Sequence, residues 1–279
     1  MSAQQINSAS TDRNRLRPHL SQLDRLRTQH EWVKGSCGPL IKAPINYKAP
    51  RLRVLDSATA DGFWLSDVKT ILPDDAEFVG FDCASDLMPL EETIPANLKL
   101  VTHDLLQDFP AEWIASFDLV HQRFVMPHFA PEEAAAVVTR LVRCVRPGGW
   151  IQHVEPDATI VMCDSQAHTL SLLPTIFSNW MPDRNPSVQL VRELERNGVK
   201  NIQQQSFDVP IGKAHKDTEM GLRGRKNMLY MFEMVSRNLS AEKLGLSQER
   251  FANLYADAEK EIDEFGMCVR YVYTWGQKQ

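Results

Sequence analysis

From residue 51 onward the chain alternates short apolar runs with amphipathic stretches of helical period. Val54-Leu55 ends at Asp56, Glu77–Phe81 at Asp82, and Leu98–Thr102 near Asp104. Phe117–Val120 runs into His121-Gln122-Arg123, and Trp150–Val154 into Glu155-Pro156-Asp157. Apolar runs this short, bounded by polar residues, read as buried strands. Between them, Phe63–Leu72 places apolar residues at 64, 65, 68, 71 and 72, which is one face of a helix. Pro131–Arg146 does the same at 134, 137, 138, 141, 142 and 145, with Pro131 as its start and Pro147-Gly148-Gly149 as its stop. Val199–Val209 and Cys268–Trp275 complete a set of seven strands. Strand–crossover–strand repetition of this kind predicts an α/β fold: a doubly wound, mostly parallel seven-stranded sheet. Its ligands lie beyond the strand C-termini, where every acid and histidine just named falls.

The rhythm loosens after residue 158. Asn185-Pro186 opens a helix that Gly198 closes, Met220–Asn238 is a Met-rich helical stretch, and Ser247 caps another helix stopped by Gly266. Helices at about 212–266, inserted before the last strand, form a cap above the sheet. At the other end, residues 1–10 read as a disordered tail, and Asp12 opens a helix running to about Lys34 and closed by Gly35. Its apolar positions 16, 20, 23, 26 and 33 make one thin stripe, so the helix lies on the domain rather than inside it. Gly35–Pro50 is an ordered loop, either a plain tether or a lid with Tyr47 near the ligand. The reading is a tail and lid over 1–50 and one domain over 51–279.

Composition narrows the function only by exclusion. Hydrophobic content of 43% and charged content of 24% are those of a globular protein. A net charge of −5 gives a nucleic acid or an anionic membrane no global attraction. No apolar run approaches the ~20 residues of a membrane helix. Five scattered cysteines without a C-x-x-C read as reduced thiols, so a cytoplasmic location is expected. No His/Cys cluster has zinc spacing and no G-x-S-x-G is present, so neither a metal centre nor a serine hydrolase is expected.

The candidate chemistry gathers at Leu52–Trp64. A strand, the small-residue turn Ser57-Ala58-Thr59-Ala60-Asp61-Gly62 and a helix beginning near Trp64 make a nucleotide site at a helix N-terminus. The turn carries Asp56 and Asp61, which would repel a pyrophosphate but suit a cation. That favours S-adenosylmethionine, with its sulfonium and ammonium, over NAD, as does a turn of the form D-x-A-x-A-x-G instead of G-x-G-x-x-G. Asp82, 20 positions past Gly62, is placed to accept ribose hydroxyls, with Cys83 beside it, and Asp104 to meet an adenine amino group. His121 and Arg123 alternate onto one face where strand four opens over the cofactor. His153 and Glu155 share a face of strand five, as a general base with its partner or as a structural pair. Arg223, Arg225 and Lys226 read as a solvated helix face. The stretches Leu170–Trp180 and Met228–Val235 suit either core packing or the wall of a pocket for a bulky apolar substrate.

The motifs V-L-D-S-A-T-A-D-G-F-W-L, V-G-F-D, F-D-L-V-H-Q-R-F and R-P-G-G-W-I-Q-H-V-E-P-D, in this order, resemble the class I S-adenosylmethionine-dependent methyltransferases. More closely they resemble the fungal LaeA-like group of secondary metabolism, strongly over about 20–160. The resemblance implies that Asp56, Ser57, Ala58, Gly62 and Trp64 surround the methionine part of the cofactor, Asp82 and Cys83 the ribose, and Asp104 with Leu105 the adenine. It places His121 and Arg123 at the post-strand-four position. It implies methyl transfer to an O, N or S atom of a small molecule, with His121 or His153 as a base if one is used. Its alternative is a LaeA-like regulator without robust turnover. The departure is at Ala58 and Ala60, where the wider superfamily has glycine.

Overall fold

The computed structural model describes residues 22–89 and 91–279. The expected tail 1–10, the helix start at Asp12 and stripe positions 16 and 20 lie outside the described residues. Seven strands form one sheet in the order β3-β2-β1-β4-β5-β7-β6. They are β1 Arg53–Ser57, β2 Glu77–Asp82, β3 Leu98–Thr102, β4 Phe117–Arg123, β5 Val145–Cys163, β6 Val199–Ile211 and β7 Met267–Lys278. Strands β1 to β5 pair in parallel, and β7 runs antiparallel between β5 and β6.

Side-chain alternation gives each central strand two apolar faces, as a sheet covered on both sides requires. On one face Leu55, Phe81, Val120 and Ile151 pack under α3 (Pro131–Cys144) and α5 (Pro186–Arg196). On the other, Val54, Phe78, Leu119 and Val154 meet α1 (22–37), α2 (Phe63–Lys69), α4 (Leu173–Trp180), α6 (Thr218–Asn238) and α7 (Gln248–Glu264). Helices α6 and α7 are inserted between β6 and β7. Ser247 caps α7 by accepting from the Arg250 amide, and Gly266 ends it at φ 69°.

Of the boundaries that differ from the sequence reading, three bear on the site. Helix α1 does not close at Gly35. It runs to 37, and Gly38, at φ 76°, donates back to the Lys34 carbonyl. Gly35 is instead a place of close approach, where a Cβ would sit 2.6 Å from Met220 Sδ. Helix α3 ends at Cys144, two residues early, and β5 starts at Val145 with an excursion through Gly148 (φ 77°) before pairing resumes at Trp150. Strand β5 is also far longer than Trp150–Val154. It pairs with β7 as far as Cys163, with a register jump between Asp157 and Val161. A proline and a bulge hide that extension from any periodicity argument. The extension matters, because β5 and β7 outrun β4 and carry Pro156–Val161 past the end of the parallel sheet.

The loop after α1 is a tether. The buried Gln152 side chain accepts from the amides of Lys42 (2.6 Å) and Ala43 (3.2 Å) and donates to the Leu40 carbonyl at 2.8 Å. Tyr47 lies outward with its hydroxyl on the Ile41 carbonyl, so no lid forms there. Helix α1 itself lies over the strand ends, seated by the fully buried Trp32 and His30.

Candidate cofactor and substrate cleft

A cleft of about 490 Å³ opens at the C-terminal ends of β1, β2 and β4. Its floor is the turn after β1. Asp56 and Thr59 begin it, with Thr59 Oγ1 donating to Asp56 Oδ2 at 2.7 Å. Ala58, Ala60 and Gly62 follow at φ 54°, 53° and 75°. All three positions are left-handed, which explains the superfamily's preference for glycine. Each alanine holds that conformation at roughly 1 kcal/mol of strain. Asp82 supports the turn from β2, its two oxygens accepting from the Ala60 and Ala84 amides at 2.9 Å each. Each of those oxygens keeps a second lone pair for a hydroxyl.

The expected site residues divide between wall and support. Asp56, Ala58, Trp64, Asp82 and Arg123 line the cleft. Ser57 alternates to the far face, where its hydroxyl accepts from Gln122 Nε2 at 2.9 Å. Gly62 starts α2, and a Cβ there would meet Leu100 at 3.1 Å. Cys83, Asp104 and Leu105 lie past β2 and β3, outside the cleft walls. The exposed Asp104 closes a turn by accepting from the Leu106 amide, and Leu105 is buried in the second core.

His121 and His153, the two expected candidates for a base, are both buried and do not line the cleft. His121 lies one layer beneath, its ring stacked on Trp64 at 3.7 Å with 2° between planes and its Nδ1 2.7 Å from Asp56 Oδ1. Facing a carboxylate, Nδ1 carries the proton, and burial lowers the pKa of the ring. It therefore orients Asp56 and Trp64. His153 lies on the opposite face of the sheet, fully buried, with burial pushing its pKa down to about 3. Glu155, on the same face, is also fully buried and pushed up to about 8 by that burial. One of its oxygens receives the amides of Val125 and Met126 at 3.4 Å, which ties down the loop after β4.

The rest of the cleft comes from elements that sequence reasoning did not bring together. Phe177, Trp180, Met181, Met228, Met231 and Met234 make an apolar wall, so both suspected stretches serve as core and as pocket. The extended β5–β7 ledge adds Pro156, Ile160 and Tyr271. Helix α1 closes the top with Gln22, Arg25, Leu26 and Gln29, whose 3–4 spacing on one helix face was the signal available. It bridges both sides. Arg27 pairs with Asp61 at 2.8 Å, while Arg25 lies over the Tyr230 ring and Lys226 pairs with Asp24. The basic cluster on α6 is fully ion-paired, Arg223 with Glu219 and Arg225 with Glu259 and Asp263. Among the described residues His30, Glu31 and Asp67 have metal-like spacing, but Asp67 already holds the Lys34 ammonium at 2.6 Å and His30 at 2.9 Å.

Residues 54–149 match the family model of a methyltransferase domain. The N-methyltransferase verN of Clonostachys rogersoniana is 41% identical over 257 residues, covering 92% of this chain and 90% of that protein. The chain belongs to the S-adenosylmethionine-dependent methyltransferases. A second relative, the N-methyltransferase gliN of Aspergillus fumigatus, is 31% identical across 91% of this methyltransferase and 92% of its own length. The LaeA resemblance is the more distant one: the secondary metabolism regulator laeA of Fusarium oxysporum is 23% identical over 246 residues. For the fold, the methyltransferase bound to a Haloferax volcanii methyltransferase activator superposes with a TM-score of 0.51, at 12% identity, over 91% of this chain and 93% of that one. S-adenosylmethionine is the methyl donor of this methyltransferase. No described helix is long and apolar enough to cross a membrane.

Proposed function

We propose that this methyltransferase places a methyl group on a nitrogen of a bulky, largely apolar small molecule of secondary metabolism. The observation that carries the reading is the two-sided cleft, an acidic floor at the strand ends facing a wall of thioethers and aromatic rings. A flexible methionine wall adapts to an irregular apolar surface. Nitrogen as acceptor is supported by the names of the relatives verN and gliN. Asp82, with Cys83 beside it, would hold the ribose, Asp56 to Gly62 the methionine part, and Asp104 with Leu105 the adenine. The donor's methyl is already activated, so the chain's work is to align the acceptor and exclude water, which α1 and the α6 wall are placed to do. Incubation with isotope-labelled S-adenosylmethionine and a fungal metabolite extract, followed by mass spectrometry, tests it. A labelled N-methyl product is expected. A labelled oxygen or sulfur would move the acceptor, and cofactor binding without any labelled product would favour the regulatory alternative.

A further inference from the structure

Four acids line the cleft, Asp56, Asp61, Asp82 and Asp157, and each already has a partner within the protein. Asp56 accepts from Thr59 and faces the His121 ring, Asp61 pairs with Arg27, Asp82 accepts from the Ala60 and Ala84 amides, and Asp157 accepts from Thr159. Arg123 is left over. It lines the cleft at the end of β4, half-buried, with no carboxylate within ion-pair distance among the described residues; Asp56, Asp61 and Asp67 act on its charge from beyond that distance, and the Phe124 ring lies 5.9 Å from its guanidinium. A guanidinium withdrawn from water without a partner is costly, and the fork of N–H groups fits a carboxylate bidentately.

The backbone around it is built to hold this presentation. Phe124, the next residue, sits at φ 60°, a conformation that an aromatic residue adopts only under constraint. Its amide donates to the Val154 carbonyl, and the following two amides go to the buried Glu155 carboxyl. The chain is therefore turned sharply immediately after Arg123 and fixed from β5.

We propose that Arg123 is the carboxylate receptor of the cleft, taking the α-carboxylate at the amino-acid end of the methyl donor while the neighbouring acids face its positive groups. The assignment rests on the reading of this cleft as the donor site. It gives an acid-lined cleft one cation for the negative group of the donor, whose amino-acid end brings one charge of each sign. Arg25, over Tyr230 on the lid, is the other arginine of the cleft without an acid, and it serves as the comparison.

The test is calorimetric titration of wild type, Arg123→Met, Arg123→Lys and Arg25→Met with two probes: S-adenosylhomocysteine, and 5′-methylthioadenosine, which lacks the amino-acid end. For Arg123→Met, S-adenosylhomocysteine should bind roughly 10- to 100-fold more weakly, the size of a lost charge-assisted pair. Its 5′-methylthioadenosine affinity should stay within about twofold, which also shows that the fold is intact, and Arg123→Lys should recover part of the loss. Equal losses for both probes, or none for either, would overturn the assignment. So would a selective loss confined to Arg25→Met, which would give the carboxylate to the lid. Wild type that binds neither probe would overturn the donor-site reading beneath it.

Discussion

Ala58 and Ala60 show how one methyl group changes a site. Both occupy left-handed backbone that glycine adopts freely. Ala58→Gly or Ala60→Gly should therefore stabilise the protein, each by up to about 1 kcal/mol, visible as a rise in Tm. An unchanged or lowered Tm would mean that the turn relaxes out of that conformation. Asp82 has the larger role, because it holds the turn and faces the cleft. Asp82→Ala should weaken S-adenosylhomocysteine binding by about 1.5–3 kcal/mol, measured by titration on folded protein. His121→Ala should also weaken that binding, because Asp56 and Trp64 lose the ring that orients them. A mutant that binds like wild type would remove His121 from the support of the site.

Helix α1 is held unevenly. Its second half carries Trp32 and His30, fully buried, and packs close to α6 where Gly224 leaves room: a Cβ there would lie 2.7 Å from Trp32 Nε1. The stretch 22–29 is held by the exposed pair of Lys226 with Asp24 and by Arg27, itself exposed, on the covered Asp61; the exposed pair contributes about 1 kcal/mol or less and is screened by salt. Hydrogen exchange should be faster over 22–29 than over 30–37, should rise with ionic strength, and should slow when S-adenosylhomocysteine binds. Uniform exchange along α1 would argue against a lid hinged on Trp32. Gly224→Ala should cost about 1–3 kcal/mol of stability through overpacking against Trp32.

At the scale of the molecule, the buried titratable groups work in opposite directions with pH. Burial pushes His30 down to about 4 and His153 to about 3, so both bind protons more readily when unfolded. Their share of stability is complete above about pH 6.5 and is lost as the solution is acidified toward those values. Glu155 keeps its proton up to about pH 8 when folded, against an ordinary 4.5, so its burial costs more as pH rises through that window. Glu155→Gln should therefore raise Tm at pH 8 and change it much less at pH 5. Equal shifts at the two pH values would mean that Glu155 is ionised in the folded protein.

The alternation of strands with helices was legible because each central strand is apolar on both faces and ends at a polar residue. The acids at 56 and 82 were legible because strand ends are where this architecture places its ligands. The doubly wound sheet, the turn after β1 and the class of cofactor thus follow from local pattern and spacing. The division of labour between His121 and Arg123 did not. They share a face of β4, yet Trp64 covers one ring and leaves the other side chain in the cleft, a choice made by a residue 57 positions away in the chain. Likewise the substrate wall joins α1, α4, α6 and the overrun of β5 and β7, segments whose spacing in sequence carries no trace of their meeting. Local periodicity determines which face of an element is buried; only the packing of elements decides which buried residue is core, which supports the site and which lines it.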